Sequence, residues 1–186
     1  MSDEKQIEIK LSKRKLTLMF VGSMIFVGLG VWFIINPTKF QSPIFQSTTL
    51  IFVAGLLGVL FFGFVGIFIF KKLSDKKVGL TVTDEGIIDN SSGVSAGQIF
   101  WTDVSKIEVA EVFNQNFLML IVDNPEQYIG RQTSAVKRKA MQMNFKSFGS
   151  PISISANGLQ CNFQELKNIL QEKFAEFKTK KAGHLV

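Results

Sequence analysis

The stretch Leu16–Ile35, LTLMFVGSMIFVGLGVWFII, carries no charged residue over twenty positions. As an α-helix, a run of this length extends about 30 Å, which matches the hydrocarbon thickness of a bilayer. A second run, Leu50–Phe70, reads LIFVAGLLGVLFFGFVGIFIF and is uncharged over twenty-one positions. A soluble core helix rarely stays apolar around its whole circumference for this length. The two runs therefore predict transmembrane helices at residues 16–35 and 50–70.

A cleaved signal peptide is the alternative for the first run, because Lys13, Arg14 and Lys15 form a basic segment just before it. However, the apolar stretch exceeds the roughly 7–15 residues of a signal-peptide core. No small-residue cleavage site follows it either. We therefore prefer a retained helix.

Basic residues flank the two runs and predict their orientation. They are Lys10, Lys13, Arg14 and Lys15 before the first run, and Lys71, Lys72, Lys76 and Lys77 after the second. The connection at residues 36–49 holds one basic residue, Lys39, and two prolines, Pro37 and Pro43, which suit a short reversal. Loops rich in Lys and Arg stay in the cytoplasm. We therefore expect a multi-pass protein of the inner (plasma) membrane, with both termini cytoplasmic and an extracytoplasmic loop at residues 36–49.

Small residues form a stripe on each predicted membrane helix. They are Gly22, Ser23 and Gly30 on the first helix, and Gly55, Gly58, Gly63 and Gly66 on the second. Such residues let helix backbones approach closely in lipid. Packing inside the hairpin is the preferred interpretation, and a dimerisation face is the alternative. Neither run contains an ionisable residue, which argues against transport.

From Gly79 onward the pattern changes to short strands separated by turns. The predicted strands start at Leu80 and at Gly86, and continue with Gln98–Trp101, Lys106–Val112, Phe117–Val122 and a last strand around Ile152–Ser155. Strands at this spacing predict an antiparallel barrel or sandwich. A helical pattern interrupts them from about Glu126 to Phe145. Its expected common face consists of Ile129, Gln132, Val136, Ala140 and Met143.

The C-terminal helix has the clearest pattern in the chain. Asn162 is placed as its N-cap, and Glu165 three positions later as the capping-box partner. Apolar residues then recur at helical spacing: Phe163, Leu166, Ile169, Leu170, Phe174 and Phe177. This stripe is expected to bury against the sheet, while the basic tail from Lys178 is expected to fray.

The N-terminal segment, residues 1–15, contains an alternating pattern at residues 6–11. Ile7, Ile9 and Leu11 alternate with Glu8 and Lys10, which predicts a strand. Because both termini are expected on one side of the membrane, this strand can join the soluble sheet. A solvated linker is the alternative interpretation.

Five segments carry a family resemblance: Ile9–Lys15, Gly86–Asp89, Gln98–Asp103, Asn124–Arg131 and Gly149–Ala156. In this order they resemble bacterial pleckstrin-homology-like (PH-like) domains behind paired membrane helices. The whole chain is similar to a family of small bacterial membrane proteins with that plan. The resemblance implies an α+β membrane protein, in which a two-helix transmembrane hairpin precedes a PH-like antiparallel β-barrel or sandwich with an amphipathic C-terminal helix. The PH-like domain is expected to be cytoplasmic and to occupy residues 71–186. No activity is established for that family, so the resemblance implies none.

The sequence contains no recognisable catalytic pattern, such as a Gly-rich phosphate loop or a nucleophile elbow. Cys161 is the only cysteine and His184 the only histidine, which excludes an internal disulfide and a cysteine-based metal site. Asp89 and Asp103 can pair in principle, but turn capping explains both. We expect no enzyme, no metal, no cofactor and no small-molecule substrate.

Binding is the function that these exclusions leave. The first hypothesis is a membrane-anchored interaction module that presents the PH-like domain to a protein partner or to its own copy. The alternative is recognition of anionic lipid, because a basic residue near such a surface adds roughly 1 kcal/mol. The candidate residues for lipid or partner binding are Arg131, Lys137, Arg138, Lys139 and Lys146. A solvated helix face is the competing interpretation.

Two further expectations concern what the domain binds. A deep apolar pocket between the inserted helix and the sheet would favour a lipid ligand, and a filled face would favour protein contact. Nucleic acid is not expected as a partner. The net charge of +6 arises mostly next to the membrane runs, and no alternation of aromatic and basic residues is present.

Overall fold

A computed structural model describes residues 6–40 and 47–183 of the chain, which divides into two compact units. One unit is Lys13–Asp75, and the other combines residues 6–12 with residues 76–183. Pro43 and His184, which entered the sequence predictions, lie outside the described residues. The second unit starts again at residue 76 after the helices and also includes a segment that precedes them.

The first unit is a pair of long helices, α1 (Lys13–Ile35) and α2 (Thr48–Ser74), with a 3₁₀ turn at Pro37–Phe40. Ser47 caps α2 by accepting a hydrogen bond from the Leu50 amide. Both helices are long and apolar enough to cross a membrane. Only 11% of the most apolar part of α1 and 17% of that of α2 are buried. They therefore differ from the core helices of a soluble protein, which are mostly buried.

The helices extend beyond the predicted spans because the basic flanks belong to their end turns. Lys13, Arg14 and Lys15 begin α1, and Lys71 and Lys72 lie in the last turn of α2. The Lys13 ammonium donates to the Asp75 carbonyl oxygen at 2.7 Å and also to Leu73. Lysine at a helix C-terminus is favourable because it satisfies the last carbonyl groups and the helix dipole.

Glycines pack the two helices together, but not all the glycines that the stripes suggested. A Cβ atom on Gly55 would come within 2.7 Å of the Gly30 carbonyl oxygen, and one on Gly66 within 2.7 Å of the Met24 methyl group. A Cβ on Gly58 or on Gly22, Gly28 and Gly63 would meet no described atom within 4 Å. Packing inside the hairpin is therefore confirmed for Gly30, Gly55 and Gly66, and wrong for Gly22, Gly58 and Gly63.

The second unit contains seven strands in two antiparallel sheets. The four-stranded sheet is ordered β1 (Ile7–Ile9), β2 (Leu80–Val82), β3 (Gly86–Asp89) and β4 (Gly97–Phe100). The three-stranded sheet is ordered β5 (Val104–Val112), β6 (Gln115–Val122) and β7 (Ile152–Ile154). The described strands thus form two open sheets and not a closed barrel.

The strand predicted at residues 6–11 belongs to the first sheet. Ile7 pairs with Val82 and Ile9 with Leu80 in antiparallel register. Further along, Leu11 bridges to Leu159 and is only 4% exposed. These contacts confirm that the segment is part of the folded unit, and the solvated-linker alternative is wrong.

The core lies on the inner faces of the sheets and beneath the C-terminal helix. Leu80, Ile87, Ile99 and Leu120 have no exposed surface, as expected for alternating strand residues. Gly86 is required where β3 approaches β4, because a Cβ there would collide with the Ile99 carbonyl group. Burial of these apolar side chains is the main source of stability in this unit.

The helical region between β6 and β7 consists of two helices, α3 (Pro125–Gly130) and α4 (Ala135–Phe148). The continuous helix predicted from Glu126 to Phe145 is therefore wrong. Gly130 ends α3, and Ser134 caps α4 by accepting a hydrogen bond from the Lys137 amide. The predicted common face is also wrong. Met141 is fully buried, whereas Val136 is 55% and Met143 61% exposed.

The C-terminal helix α5 (Phe163–Gly183) follows its sequence prediction closely. The Asn162 and Glu165 side chains exchange hydrogen bonds of 2.9 Å with each other's backbone amides, which is a capping box. Leu166, Leu170 and Phe174 are its main buried residues on the predicted stripe. The expected fraying from Lys178 is wrong, because the helix continues to Gly183.

Candidate functional site

Arg131, the first of the predicted binding residues, makes its contacts with other residues of the same domain. Its guanidinium donates to the Ala96 carbonyl oxygen at 2.7 Å and to Gln98, and lies 4.2 Å from the centre of the Tyr128 ring. These contacts attach the end of α3 to β4. Arg131 is therefore separated in role from the other four basic residues.

Tyr128 explains why α3 is held there. Its side chain is 1% exposed, and its hydroxyl donates to an Asp103 carboxylate oxygen at 2.7 Å. Burial and then the Asp103 hydrogen bond raise the pKa of Tyr128 to about 12. Asp89 has a comparable structural role, because it accepts hydrogen bonds from the Ser91 and Ala96 amides. Turn capping is thus confirmed for Asp89, and Asp103 anchors a helix.

The four remaining predicted residues, Lys137, Arg138, Lys139 and Lys146, all belong to α4. The helix contains no acidic residue, and none of the four forms an ion pair with any described residue. We call Val136, Lys139, Met143 and Lys146 the α4 stripe, because their spacing places them on one face. This face is exposed and alternates apolar and basic side chains.

The hairpin of β5 and β6 ends in an exposed aromatic residue. Phe113 and Asn114 form its two-residue turn with φ values of 49° and 59°. Both are left-handed, as a type I′ turn requires. Asn tolerates this conformation, but an aromatic residue rarely adopts it. Phe113 is also 97% exposed, the highest value among the large hydrophobic residues that the structure describes.

A small cavity lies between the same hairpin and the inner face of α4. Its volume is about 150 Å³. Its lining consists of Ala110, Val112, Phe117 and Met119 from the hairpin, Asn144 and Phe148 from α4, and Ser153 from β7. The polar members satisfy each other, since the Asn144 amide donates to the Ser153 hydroxyl at 3.1 Å. The cavity is well below the roughly 300–1,000 Å³ of a small-molecule pocket.

A larger open groove of about 460 Å³ runs along β1 beside the start of α5. Ile7, Ile9 and Ile169 supply apolar surface, while Glu8 and Lys10 contribute opposite charges. The mixed charges and the open shape give no set of converging polar groups that would orient a small ligand.

An ionic cluster attaches α5 to the turn between β2 and β3. Lys180 donates a hydrogen bond to Asp84 at 2.7 Å, and Lys173 donates one to Glu176 at 2.7 Å. Lys173 also forms an ion pair with Asp84 at 3.7 Å. The Lys180 hydrogen bond is the main cause that lowers the pKa of Asp84, and the Glu176 hydrogen bond raises the pKa of Lys173. The groups serve to hold the helix in place, because their charges are already paired.

Neither Phe113 nor the cavity was predicted from the amino-acid pattern. The predicted strands ended at Val112 and resumed at Phe117. The signal for the turn between them was the tolerance of Asn114 for a left-handed conformation. Across residues 6–40 and 47–183, no group of three or more His, Cys, Asp or Glu side chains could hold a metal ion. Comparison with protein-family models, with curated proteins and with solved structures finds no match for this chain.

Proposed function

We propose that this chain is a membrane-anchored interaction module. Residues 16–35 and 50–70 would span the inner (plasma) membrane with both termini cytoplasmic, as the basic flanks indicate. The second unit, which we assign to the PH-like type, would bind a protein partner at the cytoplasmic surface. The hairpin then serves as an anchor, because it has no ionisable residue in its apolar runs.

The observation that carries this proposal is the surface formed by Phe113 and the cavity beside it. An aromatic side chain that is 97% exposed next to an apolar cavity of about 150 Å³ is costly in water. Aromatic anchors that enter apolar pockets dominate the binding energy of protein interfaces. We call Phe113 together with this cavity the hairpin surface.

The size of the cavity favours a protein partner over an enclosed lipid. A lipid acyl chain needs a longer and deeper pocket than about 150 Å³ provides. A short apolar depression beside an exposed aromatic residue is instead the form of a protein contact.

Crosslinking in membranes tests the proposal. The full chain, carrying an affinity tag, is mildly crosslinked in its membranes and then purified under denaturing conditions. We expect species heavier than the monomer, which Phe113→Asn reduces. Ile88→Asn is the matched control, because Ile88 is 46% exposed but lies on β3. Recovery of the monomer alone, or an equal loss in both variants, would contradict the proposal.

Recognition of anionic lipid headgroups is a second candidate, favoured by the α4 stripe. Lys139 and Lys146, which form no ion pair with a described residue, alternate there with the exposed apolar residues Val136 and Met143. Basic and apolar residues on one helix face favour binding to an anionic membrane surface. The full chain in neutral and in anionic nanodiscs allows a test by hydrogen exchange. Slower exchange of Ala135–Phe148 in anionic discs, reversed by salt, supports the candidate, and equal exchange in both would contradict it.

A further inference from the structure

We propose that the partner of the hairpin surface is a second copy of this chain. Phe113 of each copy inserts into the cavity of the other, which gives a closed pair with two-fold symmetry. This inference rests on the proposed function and specifies its partner. It is carried by three observations on the hairpin surface: size, placement and backbone strain.

The size of the cavity matches the side chain that the pairing inserts. A cavity of about 150 Å³ has room for one benzene ring, and its walls are apolar apart from Asn144 and Ser153, which bond to each other. Phe113 ends in such a ring and does not fill the cavity of its own copy, because it is 97% exposed. Insertion into a second copy removes both the exposed ring and the empty space.

The ring and the cavity lie close together on one hairpin. Val112, which lines the cavity, directly precedes Phe113, and Phe117 lies four residues after it. A two-fold interface uses the same patch on both copies, so this patch must contain both complementary features. The hairpin surface meets that requirement. In a pair of copies each cavity receives the Phe113 ring of the other copy, so neither ring nor cavity is left for a third copy.

The backbone at Phe113 indicates that the ring is retained for a reason other than folding. Its φ of 49° lies in the left-handed region, which disfavours an aromatic residue. Asn or Gly would suit this turn position better. Strained residues of this kind occur where function requires them. A contact made by the ring with another copy supplies that requirement.

Photo-crosslinking identifies directly what position 113 touches. Phe113 is replaced by p-benzoylphenylalanine in the full chain, which is irradiated in its native membranes. We expect adducts with a second copy, whose crosslinked peptide contains residues of the cavity wall such as Phe148. Adducts with another protein overturn the pairing but agree with the proposed function. Adducts with lipid only, or no adduct, overturn both.

Two variants separate the pairing from folding. Phe113→Asn removes the ring and relieves the turn, so we expect unchanged or higher stability but at least a tenfold weaker self-association in detergent. Ala110→Phe fills the cavity from its own wall, and the same loss of self-association is expected. Phe113→Trp is the conservative control and should retain most of the association. Self-association that persists in Phe113→Asn at wild-type strength overturns the inference.

Discussion

The two units of this chain use the same kinds of apolar residue in opposite ways. In the helical pair Lys13–Asp75, Leu18 is 75% exposed and Phe61 63% exposed. In the second unit, Leu80 and Ile99 are completely buried. The helices contact each other through glycine, whereas the sheets are held by large interdigitating side chains. The contrast teaches that burial of apolar side chains away from water organises the second unit, whereas the first unit has the exposed apolar surface that our proposed membrane anchor would place in lipid.

The largest effect is expected from a substitution that creates a cavity in the core of the second unit. Trp101 is 1% exposed, and its indole nitrogen donates to the Thr83 carbonyl oxygen at 3.0 Å. Trp101→Ala should lower the free energy of unfolding of this unit by about 3–5 kcal/mol. Urea unfolding of the full chain in detergent measures it. Phe100→Ala, at a residue that is 44% exposed, should cost less than about 1 kcal/mol. Similar losses of unfolding free energy in both variants would contradict a core that is stabilised by burial of apolar side chains.

The assignment of residues 6–12 to the second unit is tested by Leu11, which precedes helix α1. Leu11 is 4% exposed and pairs with Leu159. Leu11→Ala should destabilise the second unit by about 2–5 kcal/mol, because a buried contact is lost. Limited proteolysis and urea unfolding report the change. The neighbouring exposed Lys10→Ala is the control, and an unaffected unit in Leu11→Ala would show that residues 6–12 do not belong to it.

A smaller effect is expected in the helical pair, where space is the limiting quantity. Gly55→Leu places side-chain atoms against the Gly30 carbonyl oxygen and should weaken the pair by about 1–3 kcal/mol. Gly58→Leu meets no described atom within 4 Å and should be close to neutral. Unfolding in mixed SDS micelles compares them. Equal stability of the two variants would remove the distinction between inward and open glycines.

The smallest effect concerns the only tyrosine of the chain. Because the pKa of Tyr128 is raised to about 12, its neutral form is favoured by folding. This contribution is complete below the unfolded pKa of about 10 and is lost as the pH rises through about 12. The ultraviolet absorbance of tyrosinate should stay absent until the pH approaches 12. Tyr128→Phe should cost about 1 kcal/mol through the unpaired Asp103, and titration near pH 10 would contradict the buried hydroxyl.

Patterns with a strong period were predictable from the sequence, and contacts between distant residues were not. The two apolar runs, the capping box of Asn162 and Glu165 and the strand at residues 6–11 all follow from local chemistry. The break between α3 and α4 was missed because Ile129, Gln132, Val136 and Ala140 fit one helical period. In the structure α3 ends at Gly130 and Ser134 caps α4, while Tyr128 of α3 binds Asp103, which is distant in sequence.

The candidate site shows the same limit. The basic residues of α4 were identifiable by composition, but their freedom from ion pairs depends on tertiary packing. The hydrogen bonds of Arg131 to β4 also depend on tertiary structure, so its separate role was not visible. Phe113 was missed because turn propensities disfavour an aromatic residue at a left-handed position. A local rule is broken there, which is where functional residues are expected.

Labelling of single cysteines tests the central claim, which is a membrane-anchored module with its second unit on the cytoplasmic side. In a Cys161→Ser background, Lys39→Cys, Gln6→Cys and Lys181→Cys are exposed in turn to a membrane-impermeant maleimide, with the inner membrane intact. The account predicts that position 39 is labelled and that positions 6 and 181 are labelled only after permeabilisation. Labelling of positions 6 and 181 in the intact membrane, or protection of position 39, would contradict it.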